Sequence, residues 1–475
     1  MLNISNKYRT YILIFIVSVV VIGSSILFIS LTAKNSEAKE AKEYPALNIG
    51  VAGVTYDNGF LAKNLVENKV FSRSENAPFE PDTWRTPGYP FFVAIFYYLF
   101  GSLYPVLIAH IFLVFLTSLF IFKIVDKLTN HKLALIASIL YIILPGTLLA
   151  ASALFNETLF VFISMSALYL FLFSEVKNMY LKWALTGLLL ALTIYIRPAS
   201  QYILLFFIPA YFIFYLKKEE TTRQHIFATI FLIIVFFATL SPWYIRNKIK
   251  MDVWAFASTG PYVLFRQNAT QFYAALNNID IFQARRDMLE KAGIPEYPIP
   301  QDLKYSKAMQ ETAIEVITSH PFRYAIFHAT SFIPFFTSSG INEYDRLIND
   351  LQPDFNPEPE PSLIQALHPF SLPVLITVIK NHGWTLVENF FWLIITVFAF
   401  LGMWFSKNKR LIRMFWAIIM YFALVTGPIA HARYRIPIEP LLLISAFSSV
   451  FFIWSNYREH FKNKLKILEN KLFKR

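Results

Sequence analysis

The sequence predicts an all-α membrane protein with many transmembrane helices, and its composition supports this fold class in two ways. Apolar residues make up 56% of the 475 positions, whereas only 16% are charged, well below the roughly one quarter that is usual in soluble domains. The apolar residues also gather in runs of about 20, the length that a helix needs to cross a bilayer. The net charge of +12 comes from basic residues between these runs, which fits membrane topology better than nucleic-acid binding.

Ten apolar runs are long enough to be predicted as transmembrane helices. The first run follows Lys7 and Arg9, as the apolar part of a signal peptide would, but it is longer than is usual for one. We therefore expect an uncleaved first span. In chain order, the predicted spans are 11–32, 103–122, 133–154, 158–173, 183–196, 198–216, 226–244, 389–405, 414–430 and 436–454.

Basic residues flank the predicted spans on one side of the membrane. They precede the first span, occupy the loops after the second, fourth, sixth and eighth spans, and fill the tail after Tyr457. Because cytoplasmic loops are enriched in Lys and Arg, this side is predicted to be cytoplasmic, with both termini on it. The loops contain Lys123, Lys127 and Lys132, then Lys177 and Lys182, then KKEETTR (217–223), and then KNKRLIR (407–413).

The outer side then receives two long polar segments, 33–102 and 245–388. We expect three regions on this basis. An N-terminal membrane region, 1–244, includes the first of these segments, and the segment 245–388 forms the second region. The last region, 389–475, contains the C-terminal transmembrane helices and the basic tail.

Two shorter apolar stretches lie within the second outer segment, at 324–336 and 370–379. They are too short to be read as spans and are predicted to be interfacial or re-entrant helices. If both cross the membrane instead, the count rises from ten to twelve and the orientation is unchanged.

Several kinds of chemistry lack their usual residues in this chain. There is no cysteine, so disulfides, thiol nucleophiles and thiolate metal sites are excluded. No spacing of His and acidic residues predicts a strong metal site, and no glycine fingerprint predicts a nucleotide-binding fold. No cofactor is therefore predicted, and dependence on a divalent metal is left open.

Charged residues near the membrane lie at the ends of the predicted spans, mostly the outer ends. A span-end arginine often only reaches for lipid headgroups, but the positive-inside rule depletes arginine on the outer side. Several outer arginines suit a phosphate, because each guanidinium can bind two oxygens. A carboxylate beside them could be a general base. The conspicuous outer residues are Asp57, Arg85, Glu157, Arg197, Arg246, His431, Arg433 and Arg435.

These features together predict a lipid phosphate as substrate, with its tail in an apolar groove and its phosphate at the outer surface. The motif RTPGYP, 85–90, is predicted to return the first outer loop to the membrane. Its prolines favour an extended or turned backbone before a helix begins. Gly88 allows close packing at that point, and Arg85 is placed at the depth of the headgroups.

The motifs, taken in order, also carry a resemblance. Over residues 50–440, seven motifs resemble those of polytopic GT-C glycosyltransferases. They are TYDNGFLAKNLVENKVF, WRTPGYPFFVAIFYYLFG, NETLF, YIRPAS, LSPWYIRN, SHPFRYAIFH and ARYRIPIEP. The resemblance is closest to bacterial relatives of the protein O-mannosyltransferases and of the lipid A aminoarabinose transferase, in glycosyltransferase family 39. It implies a GT-C-like fold in the bacterial plasma membrane and an inverting transfer from a polyprenyl-phosphate sugar to a hydroxyl of a lipid, glycan or protein.

The resemblance also implies roles for individual residues. Asp57 would deprotonate the acceptor hydroxyl, and Glu157 would orient the sugar or the acceptor. The residues implied to bind the donor phosphate are Arg85, Arg197, Arg246, Arg433 and Arg435, and those implied to contact substrate are Tyr56, Tyr89, His431 and Tyr434.

Two other classes of function fit ten spans. A secondary transporter or lipid flippase would need broken helices and polar groups near the middle of the membrane, of which the predicted spans have few. An O-antigen ligase or polymerase would use a related lipid-linked donor.

Overall fold

The protein is all-α in the residues that its computed structural model describes. These residues are 6–35, 54–216, 222–295, 303–343, 372–429 and 432–472. Every regular element within them is a helix, as the sequence predicts. The α-helices run, in chain order, Asn6–Asn35, Val54–Glu67, Gly88–Phe100, Tyr104–Leu128, His131–Ile143, Pro145–Ser152, Glu157–Phe173, Met179–Ile196, Leu204–Ala210, Thr222–Met251, Thr259–Val263, Thr270–Asn277, Ile281–Lys291, Ser306–Ser319, Pro321–Thr330, Phe332–Thr337, Leu372–Leu401, Lys409–Thr426, Ala432–Arg435 and Glu439–Leu472.

The protein is an integral, multi-pass membrane protein. Six stretches of helix in the described part of the chain are long and apolar enough to cross a bilayer. A seventh span is possible if the bent pair His131–Ile143 and Pro145–Ser152 is counted as one. Each of the ten predicted apolar runs contains helix, but a count of ten spans remains a prediction, since several of these helices are short. The six are Tyr8–Leu31, Tyr104–Leu128, Met179–Ile196, Thr222–Met251, Gly383–Leu401 and Ala432–Lys464.

Proline explains two departures from straight spans. Leu144 is extended, as a residue before proline usually is, and the chain turns by 52° between the helices on either side of it. The second helix then begins at Pro145, where the missing N–H costs no hydrogen bond. Pro209 lies inside the helix that starts at Leu204, and the backbone next widens into a π-helix at Tyr211–Tyr215.

The two short apolar stretches of the segment 245–388 differ in outcome. The stretch 324–336 falls on two consecutive short helices, Pro321–Thr330 and Phe332–Thr337. The prediction of a separate short helix at 370–379 is wrong, because residues from 372 onward form the start of one long helix, Leu372–Leu401. Its proline, Pro373, lies in the first turn, where proline does not break a helix. The proposed division at 388/389 therefore falls inside a continuous helix.

Close helix packing depends on small residues. The helices Met179–Ile196 and Thr222–Met251 approach so closely that Gly187 lies directly against the backbone of Leu232. Part of the segment 245–388 has a smaller core of its own, which includes Tyr262, Phe265 and Met309. The candidate site lies where the ends of membrane helices meet this segment.

Candidate active site

One backbone oxygen, the carbonyl of Ile196, joins three distant parts of the chain. It accepts hydrogen bonds from Thr86 Oγ1 at 3.1 Å and from Asn156 Nδ2 at 2.9 Å. Each of these three residues is the immediate neighbour of a predicted site residue. The junction therefore brings Arg85, Glu157 and Arg197 to one place.

A second hydrogen bond attaches the helix that carries Asp57. Asn58, which is buried, donates from Nδ2 to the carbonyl of Leu154 at 3.0 Å. Leu154 precedes Glu157 by three residues. Asp57 itself lies in the first turn of the helix Val54–Glu67, where the helix dipole favours a negative side chain.

The Asp57 carboxylate is paired through one of its two oxygens. Oδ2 accepts from Arg85 Nε at 3.0 Å and from Arg85 Nη2 at 2.8 Å, and Arg73 Nη1 lies 3.5 Å from the same oxygen. Within the described ranges, Oδ1 has no hydrogen bond or ion pair. The side chain is 18% exposed, so Oδ1 is the oxygen that an approaching hydroxyl could meet.

The loop that presents Arg85 is held along its backbone by the segment 255–259. Ser258 donates to the carbonyl of Thr83 from its backbone nitrogen at 2.9 Å and from Oγ at 3.1 Å. Thr259 Oγ1 donates to the carbonyl of Trp84 at 2.5 Å. Arg85 is therefore presented to Asp57 by a fixed backbone rather than a free loop.

Arg246, predicted to bind phosphate, braces the same loop instead. Its Nη1 donates to the carbonyl of Asp82 at 3.1 Å and to Asn247 Oδ1 at 2.7 Å. Its guanidinium carbon lies 4.6 Å from the centre of the Trp243 ring, a cation–π contact. Both hydrogen bonds use Nη1 alone. We assign Arg246 the role of bracing this loop, and its binding of phosphate stays a prediction.

Glu157 pairs with two arginines in a nearly closed space. Its Oε1 accepts from Arg433 Nε at 2.5 Å and lies 3.5 Å from Arg197 Nη1. Glu157 is 1% exposed, while the Arg197 and Arg433 side chains are 12% and 25% exposed. Glu157 Oε2 is buried without a hydrogen-bond partner among the described residues, and so are the hydroxyls of Thr158 and Ser200.

The ion pairs around Asp57 and those around Glu157 influence each other electrostatically. The pKa of Arg85 is lowered, chiefly because it is buried; the charges of Arg433 and Arg73 lower it further, and Asp57 opposes them. The pKa of Arg197 is lowered as well, first by burial and then by Arg433, while Glu157 raises it. Arg433 is thus close enough to act on both groups.

Charge and exposure together indicate the kind of ligand that would suit this place. Two carboxylates, Asp57 and Glu157, face three guanidiniums of the predicted set, on Arg85, Arg197 and Arg433. Arg73 with its partner Asp82, and Glu343, whose charge acts on Arg433, bring this cluster to charge balance. The case for an anion therefore rests on the partly exposed guanidiniums, because this group matches the oxygens of phosphate.

Arg435 lies elsewhere, although it is two residues from Arg433. It is fully buried, and its Nη1 donates to the carbonyl of Ser338 at 2.7 Å. Its Nε is 3.3 Å from Glu439 Oε1, and its guanidinium carbon is 3.9 Å from the centre of the Trp392 ring. The expectation that it binds the donor phosphate is therefore set aside, because the charged group is used inside the protein.

The predicted substrate-contacting residues divide similarly. Tyr89 is buried, with its hydroxyl 3.2 Å from His110 Nε2, so it belongs to the packed interior. Tyr434 is half-buried, and its ring centre lies 5.9 Å from the Arg197 guanidinium carbon, beside the site. Tyr56 lies in the helix of Asp57, but its side chain is outside the described residues, as is all of His431.

Two residues that sequence reasoning missed touch the site directly. Arg73 contacts Asp57, as given above, and Asp82 pairs with Arg73 through Oδ1 at 2.5 Å. The sequence signal was weak: opposite charges nine residues apart in a loop rich in Pro and Ser usually face solvent. Where the structure describes the chain, no group of three His, Asp or Glu side chains could hold a metal ion.

Residues 84–244 match the family model described as dolichyl-phosphate-mannose-protein mannosyltransferase. A comparison with curated proteins finds no match. Among solved structures, the chain is similar to an oligosaccharyltransferase of Archaeoglobus fulgidus in complex with zinc and sulfate, at 14% identity and a TM-score of 0.48, covering 97% of this chain and 51% of that one.

A second structure of that Archaeoglobus fulgidus enzyme, tethered to an acceptor peptide with the NVT sequon, matches at 12% identity and a TM-score of 0.44. It covers 92% of this chain and 50% of that one. The chain therefore spans about half the length of these structures.

Proposed function

We propose that the chain is a membrane glycosyltransferase of the GT-C type, which transfers a sugar from a polyprenyl-phosphate donor to a hydroxyl acceptor at the outer face of the membrane. The matched family, over residues 84–244, is described by a lipid-phosphate sugar donor and a protein acceptor. We extend the donor class to this chain and leave the acceptor as a hydroxyl of a protein, glycan or lipid.

The observation that carries the proposal is the one-sided pairing of Asp57. Its Oδ2 is held by Arg85 at 2.8 Å and approached by Arg73 at 3.5 Å. Oδ1 is left to accept the proton of an acceptor hydroxyl, as a general base must. The acceptor oxygen then bonds to the anomeric carbon of the donor from the side opposite the phosphate. The bond from that carbon to the phosphate oxygen breaks, and the configuration inverts.

The leaving group is a lipid phosphate, whose negative charge grows as this bond breaks. Preorganised cations stabilise such a developing charge more than the ground state. We assign this role to Arg197 and Arg433, which Glu157 holds together through one oxygen. Glu157 Oε2 has no hydrogen-bond partner in the described part of the chain and is our candidate acceptor of a hydrogen bond from a sugar hydroxyl.

The base role is tested with Asp57→Asn in the full-length, purified protein. Release of polyprenyl phosphate and labelling of acceptor would be measured with a panel of polyprenyl-phosphate hexoses and pentoses that are radiolabelled in the sugar. Transfer should fall by at least about 100-fold, the lower range for loss of a general base. Binding of farnesyl phosphate, a short analogue of the leaving group, should change little.

A matched control is Asp252→Asn, which removes an exposed carboxylate from an ion pair with Lys248 and should leave transfer unchanged. Near-normal turnover of Asp57→Asn would remove Asp57 from the base role. Product of retained anomeric configuration, read by NMR, would contradict direct displacement. Movement of intact donor between leaflets of liposomes, driven by an ion gradient, would favour a transporter instead.

A further inference from the structure

The turn that follows Arg197 is attached to a distant helix through one hydroxyl, that of Tyr421. This hydroxyl donates to the carbonyl of Ala199 at 2.5 Å and accepts from the backbone nitrogen of Tyr202 at 3.1 Å. Tyr421 is fully buried and lies in the helix Lys409–Thr426. Because a hydroxyl can donate and accept at the same time, this one group binds two points of the turn.

Arg197 lies between two anchors of its backbone. On its N-terminal side, the carbonyl of Ile196 accepts the two hydrogen bonds of the junction described above. Arg197 itself is extended, with φ −141° and ψ 118°, and the chain then enters the short 3-10 helix Pro198–Ser200, which Tyr421 holds. The place from which the Arg197 side chain starts therefore depends on both anchors.

The position of the Arg197 guanidinium matters because it is shared with other groups. Its Nη1 lies 3.5 Å from Glu157 Oε1, the oxygen that also accepts from Arg433. Its carbon lies 5.8 Å from the centre of the Phe160 ring, and Phe422, the neighbour of Tyr421, packs edge-on against that ring at 5.9 Å. A shift of the turn would therefore change the spacing between the two guanidiniums that are proposed to bind one phosphate.

We propose that Tyr421 is a positioning residue for the donor phosphate, because its hydroxyl fixes the turn after Arg197 and so sets the spacing between Arg197 and Arg433. This inference rests on the proposed function, in which these two arginines stabilise the leaving phosphate. Tyr421 touches neither substrate in this scheme. It acts through the backbone of the turn and should influence phosphate binding and transfer together.

The first test is Tyr421→Phe, which removes the hydroxyl and keeps the ring that packs against Phe206 at 5.2 Å. Farnesyl phosphate is titrated into the purified, full-length protein. Its Kd should rise by about three- to tenfold, the size that loss of one hydrogen bond can produce. With the best donor of the polyprenyl-phosphate panel, kcat/KM should fall by at least the same factor, because the phosphate is bound in the transition state as well. A normal Kd would overturn the inference.

The matched control is Tyr195→Phe, which also removes a hydroxyl that donates to a backbone carbonyl. Tyr195 lies two residues before Arg197, but its hydroxyl donates to Thr239 at 2.8 Å, on the helix Thr222–Met251, and not to the turn. The Kd for farnesyl phosphate should therefore stay at the wild-type value in this variant. Equal weakening by Tyr195→Phe and Tyr421→Phe would show a general effect of losing a hydroxyl near the site and would also overturn the inference.

The sharper test combines Tyr421→Phe with Arg197→Gln. If Tyr421 acts through Arg197, removing the guanidinium first should leave little for the second change to disturb. The Kd of the double variant should then lie within about twofold of that of Arg197→Gln alone, because effects that act through one shared group do not add. A purely structural role for Tyr421 predicts the same loss of affinity in both backgrounds, and that result would refute the positioning role.

Two further measurements keep the outcome decisive. If the unfolding midpoint shows that Tyr421→Phe does not fold, the wild type decides. Saturating farnesyl phosphate should slow hydrogen exchange of the Tyr202 amide by about threefold or more, because a ligand that binds only the closed turn opposes its opening; unchanged exchange would overturn the inference. Arg433→Ala separates the two proposals. Normal farnesyl phosphate binding by Arg433→Ala would end the proposed phosphate site itself, whereas weak binding there with normal binding by Tyr421→Phe would end only the positioning role.

Discussion

Replacing Glu157 with Gln should destabilise the protein by about 3 kcal/mol, because it removes the anion that pairs with Arg197 and Arg433. Glu157 Oε1 lies 2.5 Å from Arg433 Nε and 3.5 Å from Arg197 Nη1, and Glu157 is 1% exposed. At an effective dielectric constant of about 20, one pair at about 4 Å is worth about 4 kcal/mol before desolvation. Removing one buried partner typically costs about 3–5 kcal/mol, and Gln, which keeps one acceptor oxygen, should fall at the lower end.

The measurement is chemical unfolding of the purified protein in detergent, with Glu311→Gln as the matched control. Glu311 pairs with Lys307 at 3.8 Å, but both side chains are exposed, at 66% and 86%, so its loss should not move the midpoint. Farnesyl phosphate gives a second readout. Since Glu157→Gln would leave two guanidiniums without the carboxylate that pairs with both, saturating farnesyl phosphate should stabilise that variant more than the wild type.

A midpoint for Glu157→Gln that equals that of Glu311→Gln would refute the pairing as a source of stability. Equal stabilisation of the variant and the wild type by farnesyl phosphate would show that Arg197 and Arg433 do not receive the phosphate. The two results are independent, so the structural and the functional parts of the reasoning can fail separately.

Two other outcomes are expected. Arg433→Ala should weaken farnesyl phosphate binding by about tenfold or more and slow transfer with it, because a charge-assisted hydrogen bond is lost. Arg433→Lys should restore only part of the binding, since Lys keeps the charge without the two-pronged geometry. Full recovery with Lys would argue against a two-pronged contact. Gly88→Ala should lower the free energy of unfolding by about 1–3 kcal/mol, because a Cβ there would lie 2.7 Å from the Tyr195 carbonyl oxygen. The control Gly23→Ala should leave stability unchanged, because a Cβ there would have nothing within 4 Å. Equal unfolding midpoints for the two variants would contradict this packing.

Hydropathy correctly placed helix in each of the ten predicted apolar runs, because apolar runs of about 20 residues have few other stable solutions in a membrane. It did not predict the less apolar helices, such as Val54–Glu67 and Ser306–Ser319. It also did not place the interruptions of the apolar helices. The extended Leu144, before Pro145, divides one predicted span. In the other direction, the short stretch at 370–379 continues as helix to Leu401, since nothing after Pro373 stops it.

The site was predictable in its residue types and its place at helix ends, but not in the direction of each side chain. Arg433 and Arg435 stand together in ARYRIP and were given one role. In the structure they lie in a helical turn, Ala432–Arg435, where residues two apart point to different sides. One reaches Glu157 and the other reaches Glu439. Sequence spacing without the local backbone could not separate them.

Arg73 and Asp82 were missed for a different reason. Their meeting depends on the loop folding back on itself, with the Asp82 backbone nitrogen donating to the carbonyl of Phe71 at 2.8 Å, and on Arg246 bracing the carbonyl of Asp82. Those contacts arise from tertiary structure, which no local pattern of charges encodes.

The junction at Ile196 has a bearing on how this protein could be mapped by mutation. Its acceptor is a main-chain oxygen, so every amino acid placed at position 196 supplies the same atom to Thr86 and Asn156. A scan of substitutions would therefore register the side chain's burial and overlook the contact that assembles the site. Substitution of the two donors would reveal this contact instead. Loss of the Thr86 hydroxyl or the Asn156 amide would disturb Arg85, Glu157 and Arg197 together, although neither donor has a proposed role in the reaction.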